Sequence, residues 1–99
     1  MKLFVITLTY KTDIEEVENH LSAHIAYIEK YYAANVFLAS GRKVPRTGGV
    51  ILANCGSKEE MDEIVREDPF YQADVANFDV IEFVALMTNN DLEVLKSYT

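Results

Sequence analysis

Residues 2–10, KLFVITLTY, are apolar or β-branched at almost every position. Phe4, Ile6 and Leu8 fall on one face and Leu3 and Val5 on the other, which predicts a strand with apolar residues on both sides. The period then changes. Ile14, Val17, Leu21, Ile25, Ile28 and Tyr32 recur at spacings of three and four, so a helix is expected over 13–34. Thr12 and Glu15 fit a capping box at its start, and Asn35 suits a left-handed residue at its end. Residues 36–40, VFLAS, read as a second strand and 50–55, VILANC, as a third. Between them, 41–49 holds Pro45 and three of the four glycines and reads as a loop. Ser57 and Glu60 make a second capping box before a helix over 58–67, with Met61, Ile64 and Val65 turned inward and Pro69 as its stop. Residues 70–75 form an irregular or helical turn, and 77–86, NFDVIEFVAL, a fourth strand. Asn90 and Glu93 suggest a third box and a short C-terminal helix over 89–98.

The order β-α-β-β-α-β is the ferredoxin-like arrangement of an α+β protein. The expectation is one domain over 1–99, with a core at 2–86 and a helical extension. Two helices cover only one face of a four-stranded sheet. The other face also carries apolar residues in strands one, two and four, a patch of the kind that marks an interface. A homodimer packed sheet to sheet answers that problem. The rival is a monomer whose C-terminal helix folds over the face.

Charge narrows the partners. Sixteen acids against nine bases give a net charge of −7, a surface that repels phosphate backbones, so no nucleic acid is expected. No apolar run reaches the roughly 18 residues of a membrane span. The apolar start reads as a strand and not as a signal peptide, and a cytoplasmic location follows as the expectation. The bases are unevenly placed: Arg42, Lys43 and Arg46 fall together, with no acid between Glu29 and Glu59. The lone Cys55 excludes an internal disulfide and reads as a small core residue.

One residue breaks the helical stripe. His24 is a titratable ring among apolar neighbours, and burying a polar group without a partner costs free energy. Asp68, opening Asp68-Pro69-Phe70, is a carboxylate that would fix its tautomer, and the two make a candidate acid–base dyad. The plain alternatives are a core histidine bonded to backbone and an Asp bonded to its own turn. His20 and His24 share a helix face, but no third ligand accompanies them, so no metal and no cofactor is expected. Ser40, Arg46 and Phe70 are candidate substrate contacts. Arg46 would clamp an anion with its planar fork, against a plain solvated turn as the alternative. Tyr27, Tyr31 and Tyr32 on the same helix read mostly as packing or edge residues, although a tyrosine hydroxyl could reach a pocket.

The run His24…Phe37-Leu38-Ala39-Ser40-Gly41…Pro45-Arg46-Thr47-Gly48-Gly49, then Glu67-Asp68-Pro69-Phe70 and Ile81-Glu82-Phe83, resembles the YciI-like (YCII-related) proteins over residues 2–86. The resemblance implies a dimeric α+β barrel related to muconolactone isomerases, with a histidine and an aspartate that act together at His24 and Asp68. One such relative eliminates chloride from a chlorinated hydroxyhydroquinone, which implies proton transfer on small cyclic compounds. The chain departs from the pattern at Arg42, where proline commonly follows Ser-Gly, and at Asp74 and Asn35, where glycines are common. These readings converge on isomerisation, lyase-type elimination or hydrolysis of a small carboxylated or phenolic compound. The alternative is a non-catalytic dimer that binds a metabolite or a partner protein.

Overall fold

The computed structural model describes residues 1–99. Its elements run β1 (Lys2–Tyr10), α1 (Ile14–Glu18), α2 (Leu21–Ala33), β2 (Phe37–Arg42), β3 (Gly48–Cys55), α3 (Lys58–Arg66), α4 (Pro69–Gln72) and β4 (Ala76–Phe83). A 3₁₀ segment follows at Asn90–Ser97. The strands form one antiparallel sheet in the order β2-β3-β1-β4. The protein is therefore a small α+β fold. None of its helices is long and apolar enough to cross a membrane.

The core fills the space between one sheet face and the helices. Phe4, Ile6 and Leu8 of β1 pack there with Ile51, Ala53 and Cys55 of β3 and with Met61, Ile64 and Val65 of α3. Phe37 is the centre of an aromatic group, with the rings of Tyr27, Tyr31 and Tyr32 at 5.8, 5.3 and 6.2 Å. The Tyr27 hydroxyl is buried and satisfied, donating to the Ile64 carbonyl at 2.7 Å.

The long helix expected over 13–34 is two helices. Asn19 and His20 interrupt it: the His20 amide bonds Val17 three residues back, and His20 leaves helical geometry at φ −111°, ψ 5°. Such a tightened turn suits residues of weak helix propensity. The cap is Asp13 and not Thr12, for the Asp13 carboxylate accepts from Glu16 N at 3.0 Å. A charged acceptor at the positive helix end outcompetes a hydroxyl. The stripe also does not bury as a whole: Ile14 is 37% and Ile25 46% exposed.

The loop expected over 41–49 shrinks to 43–47, because Gly41, Gly48 and Gly49 join strands. At Gly48 a Cβ would lie 1.8 Å from the Leu8 carbonyl oxygen, so only glycine lets β3 lie this close to β1. The fourth strand stops at Phe83 and not at 86, since Phe83 pairs with Leu3 near the start of β1 and little partner strand remains beyond it. The second capping box is half as expected. Ser57 accepts from Glu60 N, while the Glu60 carboxylate reaches back to Gly56 N. The third is displaced: Asn89 caps the last segment, Leu92 is non-helical and nothing there is buried, so packing does not hold a full α-helix. Asn35 takes the left-handed φ of 59° as expected, closing a Schellman motif through Val36 N to Tyr31 O. Asp74, at φ 58°, closes the same motif after α4 through Val75 N to Phe70 O.

The opposite sheet face has no helix over it. Ala39, Leu52, Val5 and Ile81 form one cross-strand row over all four strands. Ile81 is 55% exposed, and Phe83 and Val50 of the same face are 39% exposed each. The chain end covers one margin only: Thr99 N donates to Met1 O, and nearby Leu3 is fully buried.

Candidate functional site

His24 and Asp68 meet. Asp68 is the N-cap of α4, with Pro69 as the first helical residue, where its missing N–H costs nothing. One carboxylate oxygen, Oδ1, accepts from Phe70 N at 2.8 Å and from His24 Nδ1 at 2.8 Å. An ionised carboxylate only accepts, so Nδ1 carries the hydrogen and the neutral ring has its lone pair on Nε2. Nε2 has no protein partner and is not sealed from solvent. The ring is fixed from below as well: Phe70 stacks on it at 3.9 Å and 5°. Asp68 is fully buried, and its Oδ2 has no partner in the chain. Leaving such an atom bare costs roughly 1–3 kcal/mol, a local conflict of the kind that functional sites tolerate.

His24 lines a cavity of about 520 Å³ between α2 and the β2–β3 half of the sheet. Leu21, Ile25, Ile28 and Tyr32 form its helical wall. The later part of the apolar stripe, from Leu21 to Tyr32, therefore faces this open cleft, which explains why Ile25 and Tyr32 remain exposed, while Val17 is buried in the core. Tyr27 and Tyr31 turn to the core instead. Across the cavity, Ser40 Oγ lies 2.7 Å from the Tyr32 hydroxyl and ties the strand wall to the helix wall.

The rim is charged. Arg46 lines it but does not present a free fork: Nη1 sits 3.1 Å from Glu18 Oε1. Glu18, with Tyr10 beside it, holds the guanidinium still more firmly protonated. Arg42 and Glu29 also line the cavity. Behind the site, Glu67 locks α2 to the end of α3 by accepting from Tyr31 at 2.8 Å and Lys30 at 3.1 Å. Those two bonds lower the Glu67 carboxyl below its usual range, and burial with the Glu67 bond pushes the Tyr31 phenol up to about 12.

His24, Phe70, Ser40 and Arg46 all reach the cavity, and Asp68 stands behind His24. His20 does not join them; it faces Glu16 at 3.4 Å. No group of three or more His, Cys, Asp or Glu side chains converges to hold a metal. Sequence reasoning left a pocket role open for a helix tyrosine but did not single out Tyr32 as the Ser40 partner, although its place on the His24 stripe was the available signal. It also missed Glu18, for which no local signal exists. Cys55 is buried, donates to Ser57 O, and has its thiol pushed up by burial.

The chain thus combines a small α+β fold with a histidine–aspartate contact at an apolar cleft. Residues 1–84 match the YCII-related domain, and the chain belongs to that family. Among solved structures, the fold is similar to 5-chloro-2-hydroxyhydroquinone dehydrochlorinase (TftG) from Burkholderia phenoliruptrix AC1100, in complex with 2,5-dihydroxybenzoquinone. The TM-score is 0.72 at 23% identity, covering 82% of this chain and 92% of that one. No curated protein matches the chain.

Proposed function

We propose that the protein is a small-molecule enzyme in which His24 moves a proton to or from a substrate held in the cavity, without a cofactor. The observation that carries this is the His24 Nδ1–Asp68 Oδ1 bond of 2.8 Å on a ring that lines the cavity. With Nδ1–H held by Asp68, Nε2 is the base. It takes a proton from a carbon or hydroxyl of the substrate, and the Asp68 carboxylate stabilises the imidazolium that forms. In an elimination, the electron pair left behind becomes a double bond as the leaving group departs with its own pair. In an isomerisation, the imidazolium returns the proton at a second atom. Hydrolysis would use the same base on water.

The substrate of this reading is a small carboxylated or phenolic ring. The apolar wall fits a ring face, and Ser40 with Tyr32 offers hydroxyls to its oxygens. Arg46, paired with Glu18, closes the rim on the α1 side of the same cavity. The dehydrochlorinase of similar fold, with its dihydroxybenzoquinone, supports the choice of ring. The test is proton exchange or elimination on a panel of such compounds: turnover that disappears in His24→Asn is expected. Turnover unchanged in His24→Asn would end the reading.

We propose that the chain is ferredoxin-like, which the sheet order β2-β3-β1-β4 supports, and that two copies pack through the open face into a dimeric α+β barrel. The row Ala39, Leu52, Val5 and Ile81 supports this. Sedimentation at micromolar concentration should find twice the 11.2 kDa chain mass. Ile81→Asp should return the single-chain species, and a wild type that sediments only at 11.2 kDa would refute the dimer.

A further inference from the structure

The basic cluster of the β2–β3 hairpin contains two unlike guanidinium groups. Arg46 is committed to Glu18. Arg42 is committed to nothing. Lys2, Lys11, Lys30, Lys58 and Lys96 all have carboxylate partners, and Lys43 bonds Thr9 Oγ1; Arg66 is also without a carboxylate partner but lies on α3, away from the cavity. On a chain of 16 acids and 9 bases, an arginine without a carboxylate at the edge of an apolar cavity is open to an incoming anion. We infer that Arg42 anchors the carboxylate of a singly charged ring acid, and that Arg46 straps α1 to the hairpin; this deepens the proton-transfer reading and rests on it for the direction in which the ring lies.

Register supports the placement. Ser40 pairs with Ile51 and Arg42 with Gly49, so both side chains project to the helix-covered face. Gly49 has no side chain and leaves the wall beside the Arg42 stem open. The Tyr32–Ser40 contact fixes α2 against β2. Two residues further along a strand is about 6.6 Å, which equals about four residues of helix. Arg42 therefore stands level with Ile28, roughly one turn along the helix from His24. A ring lying on Ile25 and Ile28 spans that interval, with its reacting atom at His24 and its carboxylate at Arg42. Glu29, on the opposite lip and without an ion pair, repels a second negative charge and so limits the ligand to one.

The geometry supplies a fork of donors to a carboxylate, which a planar guanidinium binds in two parallel bonds and an ammonium does not. The test uses matched probes: benzoate against benzamide, and 2,5-dihydroxybenzoate against hydroquinone. Binding to the full chain is read by NMR shift titration, without turnover. The acids should bind about tenfold more tightly than their neutral partners. That preference should vanish in Arg42→Ala, fall about threefold in Arg42→Lys, and shrink at high salt because the site is exposed. Glu29→Gln should tighten both acids about twofold. Arg66→Ala, on α3 and outside the cavity, should leave the preference intact, which separates an anchor from a change in net charge.

Equal binding of acids and neutral partners, equal losses in Arg42→Ala and Arg66→Ala, or no binding of either acid to the wild type would each overturn the anchor. Those outcomes leave His24 chemistry standing, since its test is turnover. Loss of turnover function in that test would not alter the probe preference read here.

Discussion

The floor and the rim of one cavity are built on opposite principles. At the floor, every group is constrained more than once: Asp68 is helix cap and His24 partner together, and Phe70 stacks on the ring whose partner its own amide shares. At the rim, the Arg46–Glu18 pair has side chains 32% and 52% exposed, and pairs of that kind contribute about 0–1 kcal/mol. In the proposed function the floor fixes geometry, as acid–base chemistry demands, while the rim adjusts charge and selection. Substitutions below should change rate and stability together; substitutions above should change ligand preference alone.

The largest effect expected is on rate. His24→Asn should lower turnover on any substrate found by about 10²–10⁴-fold. Asp68→Asn added to it should cost little more, because the two act as a unit. Additive losses measured in the double variant would separate them. Next comes stability. Asp68→Ala removes a cap worth about 1 kcal/mol and leaves buried donors unpaired at about 1–3 kcal/mol. Denaturant unfolding should register a loss of about 2–4 kcal/mol, whereas Arg46→Ala should register less than about 1 kcal/mol. Equal losses would erase the distinction between floor and rim.

A smaller effect tests the brace behind the floor. The Glu67 carboxyl is held below its usual range by Tyr31 and Lys30. Its contribution is therefore present above the unfolded carboxylate range and is lost as pH falls through the lowered folded one. Tyr31→Phe should flatten that acid limb of the stability curve slightly, since Glu67 is exposed. An unchanged limb would show the bond contributes nothing. Smallest of all, Cys55 should label slowly with a thiol reagent in the native state, because burial raises its thiol; labelling at the rate of an exposed thiol would contradict the packing around α3.

Much of this was legible from spacing. Strand β1, the α3 face of Met61, Ile64 and Val65, and the left-handed Asn35 follow from local pattern and backbone chemistry. The His24–Asp68 contact was legible because a histidine in an apolar stripe needs a partner and Asp68 was a plausible one. Three things were not. The break at Asn19–His20 needs only a small shift of hydrogen bonding, which periodicity does not register. Leu21, Ile25, Ile28 and Tyr32 line a cleft, with Leu21 and Ile28 only partly packed against the core, and a sequence marks an apolar face without saying whether anything fills the space before it. The Arg46–Glu18 pair joins residues from separate elements, so the basic cluster alone read as a free clamp.

In the proposed function Asp68 fixes the tautomer of His24 so that Nε2 faces the cavity as a base. Nitrogen-15 NMR of the His24 ring, recorded where the ring is neutral, tests it directly in wild type and in Asp68→Asn. A hydrogen on Nδ1 and a bare Nε2 are expected in the wild type, and a changed or mixed tautomer in the variant. A wild-type ring protonated on Nε2, or identical ring shifts in both proteins, would contradict it.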